Sequence, residues 1–216
     1  MPRIEMQIIA AFPLRIDARF QRLLNRPGRN LVGIVAALWD HVHREGGEAV
    51  YYYLLIVIVG IERLIGLVAA HRNAKWAIAQ GGKELGLDHY PAMVSMHALL
   101  LVSCLVEVWA LGRPFIPWLG WPMVAVVVLS CVIRWRCAAA LGRHWNPRLI
   151  VIPGAPLVQH GPYRWVRHPD YIAVVAEVAA LPLIHSAWLT AMVFTLANAL
   201  VLHERIRLEN AALAYV

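Results

Sequence analysis

Apolar residues run along this chain in long blocks. Val50–Ala70, Pro91–Leu111 and Phe115–Ile133 are predominantly apolar, and each is close to the ~20 residues a helix needs to cross a bilayer. Tyr171–Ile184 and Ala187–Leu202 are shorter and are separated only by His185-Ser186. Their spacing predicts a tight helical hairpin packed against the longer helices. Lipid offers no partner to an open strand edge, so nothing but helices is expected. The predicted fold is all-α, a multi-span transmembrane helical protein with about five membrane helices, the last two forming the hairpin. Residues 1–49 read as an N-terminal arm, 50–133 as three membrane helices with a polar loop at 71–90, and 134–216 as the region that carries the chemistry.

Composition supports a lipid-solvated chain. Of 216 residues, 60% are hydrophobic and only 15% charged, where a soluble domain is about a quarter charged; the mean hydropathy is +0.58. The net charge of +7 raises nucleic acid as a partner. The Arg and Lys residues, however, fall between the apolar runs, as on the cytoplasmic faces of membrane proteins, so membrane lipid and not nucleic acid is the expected partner. Cys104, Cys131 and Cys137 lie within or beside apolar runs with no metal-ligand spacing. They read as small buried hydrophobes, and no metal is expected. Met1–Gln7 leads into mixed polar sequence with no signal-peptide pattern.

In the arm, Arg15, Arg19, Arg22, Arg26 and Arg29 recur at helical spacing among Phe12, Ile16, Phe20, Leu23 and Leu24. This basic amphipathic pattern fits a helix on an anionic membrane surface, or a solvated arm with a short helix. If all five apolar runs cross, loops 70–91 and 134–170 share one side with the C-terminus. That side holds Arg72, Lys75, Lys83, Arg134, Arg136, Arg143, Arg148, Arg164, Arg167, Arg205 and Arg207, which makes it cytoplasmic by the positive-inside rule. The Arg-rich arm would then lie opposite, and its side stays open. Glu62, Arg63, Glu107 and Glu177 fall inside the runs. A charge at bilayer depth costs at least ~2.5 kcal/mol, so each is expected to face a partner or a polar cavity; Arg63 with Glu107 is one such pairing.

Leu141–Tyr171 is the polar, basic and aromatic interruption around which the chain is organised, and a loop of this length is usually functional. Gly161 opens a backbone conformation closed to other residues and Pro162 fixes the next one, so the turn aims Tyr163. Pro169 biases His168 away from the helix and sits in the first turn of the next one. Free backbone N–H groups at that start, with Arg167 beside them, make an anion site suited to a carboxylate. Near the C-terminus, Arg205 and Glu209 are four apart and share a helix face. They read as a surface ion pair, or as a cation for an anionic acceptor beside a carboxylate for a cationic donor.

GPYRWVRHPDY at Gly161–Tyr171, followed by a helix pair and RIRLE at Arg205–Glu209, resembles the isoprenylcysteine carboxyl methyltransferase family of integral membrane enzymes. The resemblance covers roughly Leu141–Leu213. It implies S-adenosylmethionine as cofactor, wrapped on the cytoplasmic side by the loop before the hairpin. It also implies a lipophilic small-molecule acceptor whose tail stays in lipid. On the matching positions, Ala155, Pro156, Leu157 and Val158 would line the adenosine, with Gly161 shaping the turn. Tyr163, His168, Pro169, Asp170 and Tyr171 would hold the methionine and ribose parts. Glu209 would contact the cofactor and Arg205 the acceptor. Asn210 stands where many relatives carry a second Glu.

A second pattern covers Glu62-Arg63-Leu64, Arg72-Asn73, Trp76, Gly82, Glu84, Gly86, His89-Tyr90, His97 and Glu107. It resembles the bacterial branch of the family that O-methylates alkylresorcinols and alkylpyrones. Read from the residues alone, 72–90 is a structured polar connector. Methyl transfer from a sulfonium is an in-line displacement that mainly needs positioning. A carboxylate acceptor arrives ionised, whereas a phenol gains typically ~10²–10⁴-fold from a general base. His168 and Glu209 are the candidate bases and His97 a third. The alternatives are prenylcysteine carboxyl methylation, phospholipid amine methylation, for which Arg205 is an awkward neighbour, and a non-enzymatic transport or scaffold role.

Overall fold

The computed structural model describes residues 47–86, 89–154 and 158–213. The arm's amphipathic pattern, and Ala155, Pro156 and Leu157 of the expected cofactor loop, lie outside these. Five α-helices occupy the described residues: α1 Gly47–Ala79, α2 His89–Leu111, α3 Pro117–Leu141, α4 Pro169–Leu183 and α5 Trp188–Leu213. Among them α1, α2, α3 and α5 are long and apolar enough to cross a membrane. α4 has 15 residues, about 22 Å at ~1.5 Å per residue, short of the ~30 Å hydrocarbon core. Four residues, 184–187, join it to α5, giving the expected hairpin. Leu54, Ile58, Leu99, Val128, Leu129 and Leu196 are each more than half exposed. Outward apolar faces on this scale are at home in lipid.

Besides α5, which runs on to Leu213, two helices outrun the predicted spans. α1 continues past Ala70 to Ala79 and α3 continues past Ile133 to Leu141, so Arg72, Asn73, Trp76, Arg134 and Arg136 are helical. Polarity ends a span but not a helix. Neither extension contains Gly or Pro, and the helices stop where Gly81 (φ 84°) and Gly142 (φ 54°) adopt left-handed backbone. The expectation of helices alone also needs correcting. β1 (Lys83–Leu85) pairs antiparallel with β2 (Leu149–Val151), Glu84 opposite Ile150. These strands belong to the two connectors beyond the apolar runs, where the lipid argument does not apply. Gly82 permits the approach, since a Cβ there would sit 2.6 Å from the Ala77 carbonyl oxygen and 2.9 Å from Ile150.

The core is built from Tyr52, Ile56 and Val59 of α1, Leu100, Cys104 and Val108 of α2, Val127 of α3, and Val178, Leu181 and Ile184 at the hairpin. At one end of the bundle Glu107 closes the hairpin. Its carboxylate accepts the Leu189 and Thr190 N–H groups at 3.3 and 2.7 Å and pairs with Arg113 at 2.7 Å, satisfying donors that open the first turn of α5. His185 Nδ1 lies 3.1 Å from the Arg113 carbonyl, and the Tyr52 hydroxyl donates to the Leu181 carbonyl at 3.2 Å.

The proposed Arg63–Glu107 pairing is not formed. Arg63 meets Glu177 of α4 at 2.8 Å. Arg134 of α3 reaches the same carboxylate at 3.2 Å and Glu62 at 3.4 Å. Glu107 is taken up at the hairpin end, so the carboxylate available to Arg63 comes from α4, a neighbour that spacing along the chain could not name.

Candidate active site

The other end of the bundle gathers the C-terminal ends of α1, α3 and α5 and the N-terminal ends of α2 and α4. Gly161–Arg164 forms a 3-10 turn. Gly161 has φ 62°, and a Cβ there would come within 3.1 Å of the Ala140 side chain; only glycine lets this turn close against α3. Pro169 opens α4, with His168 in non-helical backbone just before it (φ −131°, ψ 64°).

Four of the singled-out side chains form one cluster. The Tyr171 hydroxyl donates to Glu209 and accepts from Arg205 Nε at 3.2 Å. The His168 ring stacks on Tyr171, centroids 5.0 Å apart and planes within 7°. Its Nδ1 lies 4.0 Å from the Glu209 carboxylate. Arg205 and Glu209 therefore do share a face, and they share a partner rather than pairing directly. The Asp170 carboxylate is 3.7 Å from Arg134 Nε, beyond hydrogen-bonding range, and its buried Oδ1 has no partner among the described residues. Tyr163 packs beside Cys137, and burial pushes its phenol well above the ordinary tyrosine range.

These groups open onto a cavity of about 1260 Å³. Val158, Tyr163, His168, Asp170, Tyr171, Arg205 and Glu209 line it, whereas Gly161 and Pro169 shape the walls without lining them. The cavity continues between α1, α2 and α5 along Gly60, Ile61, Val94, Leu101, Val102 and Val201. One end is polar and aromatic, the other aliphatic. A pocket for a single drug-sized molecule spans roughly 300–1,000 Å³, so this volume accommodates more than one ligand.

The second sequence pattern mainly fastens this end together. Asn73 Nδ2 donates to the Trp145 carbonyl at 2.7 Å, and Trp76 meets His144 edge-on at 5.1 Å. Arg148 pairs with Glu84 at 3.4 Å and stacks over the Tyr90 ring at 4.7 Å. A Cβ at Gly86 would sit 2.9 Å from Leu208. Trp145, Asn146, Arg148 and Arg134 also line the cavity, and the sequence reading had given them no role beyond charge. For Arg134 a signal was present: with no breaker before Gly142, an Arg at the end of an apolar run belongs to the helix and needs a partner inside the bundle.

Residues 123–215 match the isoprenylcysteine carboxyl methyltransferase (ICMT) family, and this segment holds the hairpin and the whole His168–Tyr171–Arg205–Glu209 cluster. The chain is also 37% identical over 164 residues to the uncharacterized protein YpbQ of Bacillus subtilis (strain 168), covering 75% of this chain and 96% of that protein. The chain belongs to the isoprenylcysteine carboxyl methyltransferase family. No solved structure matches it. Isoprenylcysteine carboxyl methyltransferase relatives are membrane methyltransferases that use S-adenosylmethionine. With four helices able to cross a membrane, this member is an integral membrane methyltransferase.

Proposed function

We propose that this methyltransferase transfers a methyl group to an oxygen of a long-tailed phenol or enol of the alkylresorcinol or alkylpyrone type, at a site that faces the cytoplasm. The observation that carries the reading is the two-ended cavity: a polar, aromatic end beside the family's sequence string, continuous with an aliphatic arm between α1, α2 and α5. A lipophilic acceptor is accommodated with its tail in the arm and its head toward the polar end. Orientation is supported by charge. Arg72, Lys75, Lys83, Arg143, Arg148, Arg164, Arg167, Arg205 and Arg207 all belong to the site end, while Arg113 belongs to the hairpin end.

The donor set fits S-adenosylmethionine. The cofactor carries a carboxylate, an ammonium, a sulfonium and an adenosine. Arg167 and His168 suit the carboxylate. Asp170, whose buried Oδ1 makes no hydrogen bond among the described residues, and Glu209 suit the cations. Val158 offers the adenosine an apolar side. When bound, the cofactor supplies an already activated methyl group. What remains for the protein is to position, orient and exclude water. Tyr171 holds Glu209 and Arg205 in register. Arg205 is then presented to an oxyanion or to a phenol oxygen gaining negative charge, for which a guanidinium is suited.

The test is calorimetry of S-adenosylmethionine on the full chain in detergent, followed by methyl transfer to a long-chain alkylresorcinol and to a prenylcysteine. Cofactor binding with transfer to the resorcinol is expected. Transfer to the prenylcysteine alone assigns the carboxylate acceptor instead, and absent cofactor binding overturns the site.

A further inference from the structure

His97 is a half-buried imidazole, the third of the candidate bases and the one to which the cofactor reading gives no task. It sits on α2 seven residues past Tyr90, about 10 Å deeper at ~1.5 Å per residue, and its side chain lines the cavity where the polar end gives way to the aliphatic arm. Its Nδ1 lies 2.9 Å from the Met93 carbonyl. A carbonyl only accepts, so Nδ1 carries the hydrogen and Nε2 holds a lone pair. That Nε2 is shielded from water and has no partner among the described residues. A buried polar atom left unpaired is costly, and catalytic use is one of the few reasons it persists.

We propose that His97 is the general base of the reaction, taking the acceptor's hydroxyl proton at Nε2; this rests on the O-methylation reading. The acceptor O–H bond breaks and its proton goes to Nε2. The oxygen's electron pair forms the new O–C bond, and the pair of the breaking C–S bond stays with sulfur. Hydrogen bonds of this kind are loose in the empty enzyme and tighten around the substrate.

The other titratable groups are otherwise engaged. Glu209 accepts from Tyr171, and His168 is stacked on that ring. Glu177 is held between Arg63 and Arg134. Asp170 lies beside the same Arg134. The charged groups acting on His97 are Arg63, Arg134 and Glu177. The two guanidinium groups favour an anion forming nearby.

The experiment uses the full chain in detergent and a series of alkylphenols graded in acidity, the last ionised at the assay pH. His97→Asn keeps a polar side chain but cannot take a proton. It should lose about 10²–10⁴-fold in turnover on the least acidic phenol and act like the parent on the ionised one, with unchanged cofactor affinity. His97→Gln should behave alike. A second readout needs no turnover. An alkylnitrophenol bound to the parent without cofactor should show phenolate absorption below the pH at which it ionises in free solution, and the variants should not shift it. Equal losses on all acceptors, no loss on the least acidic one, or no absorption shift in the parent would overturn the assignment. A parent that binds cofactor but methylates no phenol in the series would overturn the O-acceptor reading itself, and His97 as base with it.

Discussion

Arg63 and Glu177 meet at 2.8 Å between α1 and α4, with the Glu177 side chain 1% exposed. Arg134 closes on the same carboxylate from α3, so three helices converge on one charge. Removing one partner of a buried ion pair leaves the other uncompensated, which typically costs 3–5 kcal/mol. Glu177→Ala should therefore destabilise the detergent-solubilised protein by about 3 kcal/mol or more. Thermal or denaturant unfolding checks this, and a change under about 0.5 kcal/mol would show that the charges find partners elsewhere.

Glu107 gives a contrasting case at the opposite end. It holds the first turn of α5 through two backbone N–H groups and anchors Arg113. Glu107→Ala should cost about 2–4 kcal/mol, combining a lost cap with an orphaned Arg113. Calorimetry on the variant should find the parent's affinity for S-adenosylmethionine, because this end is remote from the cavity. Weakened cofactor binding in a folded variant would contradict that separation.

Tyr171 lets the roles of Arg205 and Glu209 be told apart. Arg205→Ala should keep cofactor affinity and lose turnover, whereas Glu209→Ala should weaken cofactor binding itself. Tyr171→Phe deletes the hydroxyl between them and should cost on the order of 1–3 kcal/mol in cofactor binding or turnover. Cofactor calorimetry beside a methyl-transfer assay reads all three. Wild-type turnover in Arg205→Ala and Glu209→Ala together would reduce the pair to a surface contact worth about 0–1 kcal/mol.

The turn at Gly161 is predicted to tolerate no side chain. With φ at 62° and Ala140 3.1 Å from a new Cβ, Gly161→Ala should cost about 1–2 kcal/mol and shift Tyr163. Tyr163→Phe and His168→Ala should each weaken cofactor affinity by on the order of 1–3 kcal/mol, measured by titration calorimetry. Unchanged affinity in both would remove this turn from the cofactor site.

A cysteine introduced at Gln159, which lines the cavity, tests the orientation. A membrane-impermeant thiol reagent should reach it from the cytoplasmic face only. Labelling from the opposite face alone would invert the topology.

The membrane class, the hairpin and the Gly161–Tyr171 and Arg205–Glu209 strings were legible in the sequence. These are local properties: apolar run length, Gly and Pro at fixed offsets, and a helix face set by four-residue spacing. The sequence did not determine where α1 and α3 stop, because a polar residue does not break a helix and the breakers at Gly81 and Gly142 come later. Nor could it choose Glu177 over Glu107 for Arg63, or bring β1 to β2 from distant connectors. Each of those is a pairing between elements far apart in the chain. Which carboxylate meets which guanidinium follows from the order in which the helices pack around one another.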